Sequence, residues 1–349
     1  MPTTRIPFAD ALATQAEQLS TVRASVTHSI EGMDLPVLGP HETVAVVAMG
    51  ASRNAGNALV AVFAKAGHRA VDLTASEVLI GPDGYQPGDH YVIVSESGRS
   101  PEPLEAARRL TPGRRIGVSN FPEAQIGDAV DRCVDLGGVP DSPVYSVGYT
   151  GTLLAFGYLA ERWGVKDAAK GLADIETTIA RHEESFRPLL DAVGSLLGGA
   201  DSVDVVASGV SFATATEFAL MVREALRVPA TAHETYEFLH GPMESAFENS
   251  LVVLFGDDRE LTVPGPLLDA GVPVVLVTTK ARSEIPRSDD PLLTVVEIGR
   301  GLEGFSRAII ETVFAQRALE SAAAHKPFPV EEFRFSGLGT KLDEETHGD

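Results

Sequence analysis

The sequence predicts an α/β protein made of two open parallel sheets, each flanked by helices and related by an internal duplication. Three observations lead there. Apolar runs such as "TVAVVAMG" (Thr43–Gly50) and "HYVIVS" (His90–Ser95) read as strands buried on both faces. They alternate with helical stretches, and parallel strands need long crossovers of that kind. The plan then restarts. "VDVVASGVSFATA" (Val203–Ala215) repeats "VAVVAMGASRNAG" (Val44–Gly56), and Gly209 and Ser211 each stand 159 residues beyond Gly50 and Ser52. The same offset sets "LVVLFG", from Leu251, against "VIVSES", from Val92.

The elements follow in order. An N-terminal helical segment, 1–35, has helical spacing from about Phe8 to Ile30. A first domain, 36–165, opens with the strand at Thr43 and a helix to about Ala66. "HRAVDL" comes next, then a loop holding Gly81, Pro82, Gly84 and Pro87, then "HYVIVS". A helix to about Leu110 leads to "RRIGVSN" and "RCVDL". The stretch from Ser146 to Leu197 is rich in helix, and its later part, 166–198, is the connector. The second domain, 199–325, ends with the strands "VPVVLVTTK" and "LLTVVEIG" and a long helix from Leu302 to Ala324. Residues 326–349 form an irregular tail with an acidic end.

Composition bounds the function. A chain of 349 residues exceeds one simple core, which agrees with two domains. A net charge of −21 argues against non-specific binding to nucleic acid or anionic membranes. A small anionic ligand stays open, because one locally positive pocket is enough for it. Cys133 is the only cysteine, so no internal disulfide and no Cys-based zinc site is expected. The start, "MPTTRIPFADALATQAEQL", has no long apolar run behind a basic segment, so no signal peptide is expected. No run approaches the ~20 apolar residues of a membrane span. The expected location is the cytoplasm.

One corner of the chain concentrates hydroxyls. "VIVSESGRSPEP" (Val92–Pro103) puts Ser95 and Ser97 at the carboxyl end of a strand, where open α/β sheets bind ligands. Ser100 and Pro101 read as N-cap and first residue of the next helix, whose free N–H groups and positive dipole end suit a phosphate. Gly50, Ala51 and Ser52 occupy the matching turn after the neighbouring strand, so two serine-bearing turns can converge on one anion. The plainer alternative is that Ser100 only caps its helix while Ser95 and Ser97 make local turn bonds. Neither a P-loop nor a G-x-G-x-x-G pattern is present, so a nucleotide is not indicated. The second half has "FGDDRE" at the corresponding place, and acidic residues cannot hold an anion as hydroxyls do.

"MGAS", "SESGRSPE" and "YEFLHGP" (Tyr236–Pro242), in that order within a duplicated chain, resemble the sugar isomerase (SIS) domain family. The resemblance spans about Thr43 to Thr340 and implies two tandem SIS domains. It points to the isomerase part of glucosamine-6-phosphate synthase, and closer still to stand-alone amino-sugar-phosphate isomerase/deaminases. It implies a phosphosugar held by Ser52, Ser95, Ser97 and Ser100 with backbone help from Gly50 and Ala51. Glu96 stands where the pattern usually has an uncharged or basic residue. It further implies Glu224 as the isomerisation base, His240 as the ring-opening acid and Lys341 as the tail lysine that folds over the site. Glu217, Met221 and Glu224, at i, i+4 and i+7, are expected on one helix face. Met221 replaces a lysine of the synthase-like pattern.

The alternatives are a solvated Glu224 paired with Arg223 or Arg227, His240 as a helix cap, and Lys341 as free tail. The glutamine-hydrolysing part of the synthase is not expected, since it needs an N-terminal cysteine and this sequence starts Met1-Pro2. The expected function is aldose–ketose isomerisation, or deamination of a hexosamine 6-phosphate or related amino-sugar phosphate. It requires no cofactor and no metal. Removal of an amino acid from a fructosyl-amino-acid phosphate, or non-catalytic sensing of a sugar phosphate, are the alternatives. The expected partner is a small sugar phosphate, with no nucleic acid and no membrane. The resemblance also implies a homodimer with shared active sites.

Overall fold

A computed structural model describes residues 5–335 and 338–342 of the chain. The first sheet contains β1 (Thr43–Ala48), β2 (Arg69–Thr74), β3 (His90–Val94), β4 (Arg115–Ser119) and β5 (Arg132–Asp135). The second contains β6 (Ser202–Ala207), β7 (Ala230–Glu234), β8 (Ser250–Phe255), β9 (Val274–Thr278) and β10 (Leu293–Glu297). Their orders, β2-β1-β3-β4-β5 and β7-β6-β8-β9-β10, are the same topology twice. All pairs within the sheets are parallel. The central strands are rich in Val, Ala, Ile and Leu because helices cover both faces; β3, β8 and β9 are buried at every residue.

The repeat drifts in register. Val44 lies opposite His90, and Val203 lies opposite Leu251. Leu251 is therefore the counterpart of His90, and the expected match to Val92 is two residues out. Part of the drift can be located. Gly50 and Gly209, with φ of 55° and 58°, open equivalent helices 159 residues apart. Gly67 and Arg227, with φ of 80° and 56°, close them 160 apart. The extra residue falls where the helix Ser211–Met221 runs on into a π turn, Val222–Leu226, while the helix Gly50–Lys65 has none. A π turn is how a helix absorbs one added residue, and such turns recur at functional sites. The second extra residue enters between β7 and β8, since Val44 pairs with Ala70 and Val203 with Ala230.

The inner helices of the two lobes share one core. Gly50–Lys65 packs on Ser211–Met221, and Gly304–Ala323 packs on Ile175–Gly199, on Val147–Arg162 and on Ser211–Met221. Phe63, Phe156, Phe218, Phe305 and Phe314 all lie in this shared cluster. The helix expected from Phe8 to Ile30 is two helices, Phe8–Ala13 and Gln15–Glu31. They part at Thr14, whose hydroxyl bonds the Asp10 carbonyl at 3.0 Å, the local competition that a hydroxyl offers a helix. Among the described residues no helix is long and apolar enough to cross a membrane.

Candidate functional site

The carboxyl ends of β1 and β3 shape two turns. After β1 the chain takes a positive φ at Gly50 and enters a helix whose first residues are Gly50, Ala51 and Ser52. After β3 it turns through Ser95–Ser100. Gly98 has φ of 65°, and a Cβ there would lie 2.8 Å from both Ala124 Cβ and Phe121 O, so this turn requires glycine. Ser100 and Pro101 take the expected cap and first helical positions. Ser100 Oγ does not cap; it accepts from Lys341 Nζ at 2.9 Å.

These turns line a cavity of about 770 Å³. Gly50, Ala51, Ser52, Glu96, Ser100, Glu224 and Lys341 all face it, so the structure gathers residues from both lobes and the tail. The Ser52 hydroxyl makes no hydrogen bond to another described side chain. Ser95 and Ser97 are not among the lining residues. Each is almost fully buried, and their hydroxyls accept the Ser100 and Arg99 N–H groups at 3.3 Å, closing the turn on itself. They make the local turn bonds of the plainer alternative, and of the four serines Ser52 and Ser100 are the two that line the cavity.

Glu224 sits in the π turn. Burial pushes its carboxyl up to about 7, close to the range useful to a general base at neutral pH. The cavity face of this segment carries Leu220 and Glu224. Met221 is packed into the shared core and does not line the cavity, so the single face expected for Glu217, Met221 and Glu224 is not what forms. Glu217 is buried beneath the site, where Asn54 Nδ2 donates to it at 2.9 Å. Burial pushes its carboxyl up to about 8, with Glu224 adding to the rise.

Glu96 is buried, and Asn120 Nδ2 donates to its Oε1 at 3.1 Å. Burial raises its pKa while Arg5 and Lys341 pull it down. A carboxyl held toward its neutral form repels an anion less than an ionised one. Arg5, Pro143 and Tyr145 also line the cavity, and sequence reasoning missed all three. Their signal is tertiary: Arg5 reaches the site by pairing with Asp141, 136 positions along the chain. His240 is exposed at the end of the helix Thr235–Leu239 and does not line this cavity. One subunit alone does not bring it to Glu224.

The second lobe is arranged differently at the matching turns. Its Gly209 turn and the end of β8 enclose a smaller cavity of about 260 Å³. There Ser211, the counterpart of Ser52, donates to Glu311 at 2.9 Å, and Ser208 donates to Glu260 at 2.8 Å. Arg307 bridges Asp257 and Glu311. The chain's own carboxylates occupy the donors that an external anion would need.

Fold and site together define a two-lobed α/β protein with a cavity at the sheet ends of the first lobe, walled on one side by Leu220 and Glu224 of the second. Residues 196–319, which make up most of the second lobe, match the SIS domain. Over 232 residues it is 28% identical to the glutamine–fructose-6-phosphate aminotransferase (isomerizing) of Aeropyrum pernix. That match covers 61% of this chain and 37% of the relative, so the chain corresponds to well under half of it. In fold it resembles the C-terminal domain of glucosamine-fructose-6-phosphate aminotransferase from Francisella tularensis, with a TM-score of 0.79 at 19% identity over 93% of this chain and 98% of that one. The glucosamine-6-phosphate deaminase of Thermotoga maritima has a TM-score of 0.66 at 18% identity, over 92% and 97%.

Proposed function

We propose that the protein is a phosphosugar aldose–ketose isomerase or deaminase acting on an amino-sugar phosphate of the hexosamine 6-phosphate kind, as a cytoplasmic homodimer. The observation that carries this reading is that Glu224, a carboxyl with its pKa near neutrality, faces the same cavity as Ser52, Ser100 and Lys341. Both lobes are SIS domains on this reading, and the first alone keeps an open anion seat. The phosphate sits on the Gly50–Ser52 turn and the Ser100 helix start, where N–H groups and hydroxyls converge. Glu224 then moves a proton between C1 and C2, and Lys341 stands close enough to the phosphate seat to engage the sugar. Ring opening falls to His240 of a second subunit, since this chain's own His240 lies away from the pocket. The exposed Tyr236 and Phe247 near that loop supply apolar surface for such a contact.

A cavity of about 770 Å³ leaves room beyond a hexose phosphate, which favours removal of an amino acid from a fructosyl-amino-acid phosphate as the second reading. The test is a panel of hexosamine 6-phosphates and fructosyl-amino-acid phosphates. Ammonia or amino-acid release is followed, together with exchange at C1 and C2 in deuterated water. Exchange supports the first reading, as a deaminase when ammonia is released and as an isomerase when it is not, and amino-acid release supports the second. Binding with neither would make the protein a sensor. No binding to any member would remove the phosphosugar reading.

A further inference from the structure

We propose that Arg5 is a ligand contact whose guanidinium takes an oxyanion of the bound molecule and so sets the charge preference of the pocket. This rests on the phosphosugar reading and adds to it a residue far from the serine turns. Four observations carry it.

Arg5 lines the cavity. Its backbone is pinned by a β-bridge to Asp141, with Ile6 N donating to Asp141 O at 3.1 Å, so the side chain is delivered from a fixed position. Its guanidinium is oriented as well. Nη1 donates to Ser142 O at 2.9 Å, Nη2 donates to the Tyr145 hydroxyl at 3.1 Å, and the group lies 5.0 Å from the Tyr145 ring centre. That uses two of the five N–H donors of an arginine. Among the described residues the guanidinium forms no ion pair at contact distance. Asp141 is filled by the N–H groups of Ser142, Ser146, Val147 and Gly148 and by the Ser146 hydroxyl. Glu96 lies near but shares no hydrogen bond with Arg5, and its carboxyl is shifted toward the neutral form by burial. A fixed guanidinium with donors to spare, in a cavity wall, is suited to a planar or tetrahedral oxyanion.

The oxyanion is either the sugar's phosphate or a carboxylate elsewhere on the ligand. Calorimetric titration of the full chain separates these with two probes, fructose 6-phosphate and 6-phosphogluconate, which share the phosphate while only the second carries a carboxylate. Arg5→Gln should weaken binding by about ten- to a hundredfold, the worth of a charged hydrogen bond. If phosphate is the group held, both probes fall by the same factor. If a carboxylate is held, only 6-phosphogluconate falls. Arg5→Lys keeps the charge without the fork, so its affinity should lie between wild type and Arg5→Gln. Unchanged affinity of Arg5→Gln for both probes overturns the proposal. Equal losses in Arg5→Gln and Arg5→Lys also overturn it, because both variants break the Ser142 and Tyr145 bonds alike and the role is then structural. Failure of wild type to bind either probe, with ligand-panel binding also absent, removes the phosphosugar reading and this contact together.

Discussion

Asn54 Nδ2 donates to Glu217 Oε2 at 2.9 Å, joining the helix that carries Ser52 in one lobe to the helix that leads to Glu224 in the other. The acceptor is a carboxyl whose pKa burial lifts from 4.5 to about 8. The folded state therefore keeps a proton that the unfolded chain gives up. The resulting stability is present in full below about 4.5 and is lost as pH rises through about 8. Glu217→Gln has no such proton to lose. Relative to that variant, wild type should lose about 1.4 kcal/mol per pH unit between pH 5 and 8 in chemical denaturation. A gap that does not change with pH would mean that Glu217 titrates as an ordinary carboxyl.

Glu224 must be ionised to accept a proton from carbon. With its carboxyl pushed up to about 7, turnover should rise with pH through that value. Glu224→Gln should bind a hexosamine 6-phosphate but slow exchange at C1 or C2 by on the order of 10²–10⁴. Exchange measured in deuterated water at near wild-type rate in the variant would take Glu224 out of the mechanism.

Ser52 and Ser97 are both hydroxyls of the expected phosphate seat, yet one faces the cavity and the other closes a turn. Ser52→Ala should weaken phosphosugar binding about tenfold with little change in melting temperature. Ser97→Ala should do the reverse, costing about 1 kcal/mol of stability with a smaller effect on affinity. Titration and melting of the two variants side by side check the assignment, and equal affinity losses would contradict it.

The position of His240 makes a prediction about pairs of subunits. Glu224→Gln and His240→Ala are each expected to be inactive. In a mixed dimer, a His240 that acts across the interface gives one site both defects and the other neither. The purified heterodimer should then show about half of wild-type activity, and an unsorted random mixture, in which about half the dimers are mixed, roughly a quarter. A His240 serving its own subunit's Glu224 restores nothing. Co-expression under two affinity tags, with assay of the purified heterodimer, distinguishes the outcomes.

The strands were legible because both faces of each central strand are covered, so apolar runs such as Val44–Ala48 leave no ambiguity of face. The duplication was legible through Gly50 and Gly209, whose positive φ demands the same residue twice. The two-residue drift to Leu251 was not, because one residue of it is absorbed in a π turn, which leaves no mark in side-chain chemistry, and the other enters the connection between β7 and β8. The same turn upset the expected helix face, leaving Leu220 on the cavity and Met221 in the core. In the site, residues on strand-end turns could be located from the chain itself. The inward rotation of Ser95 and Ser97 depends on the turn's own hydrogen bonds, and the arrival of Arg5 and Tyr145 depends on packing between distant segments.

The cavity takes one wall from Arg5 and another from Lys341, positions near opposite ends of the described chain. During synthesis both sheets are complete by Glu297, well before Lys341 leaves the ribosome. A nascent or trimmed chain can thus be fully folded in its core and still possess no finished pocket. On the proposed reading, a chain that lacks Lys341 loses one wall of its ligand pocket while keeping both sheets, so abundance and heat resistance would be poor guides to how much of it can bind a ligand.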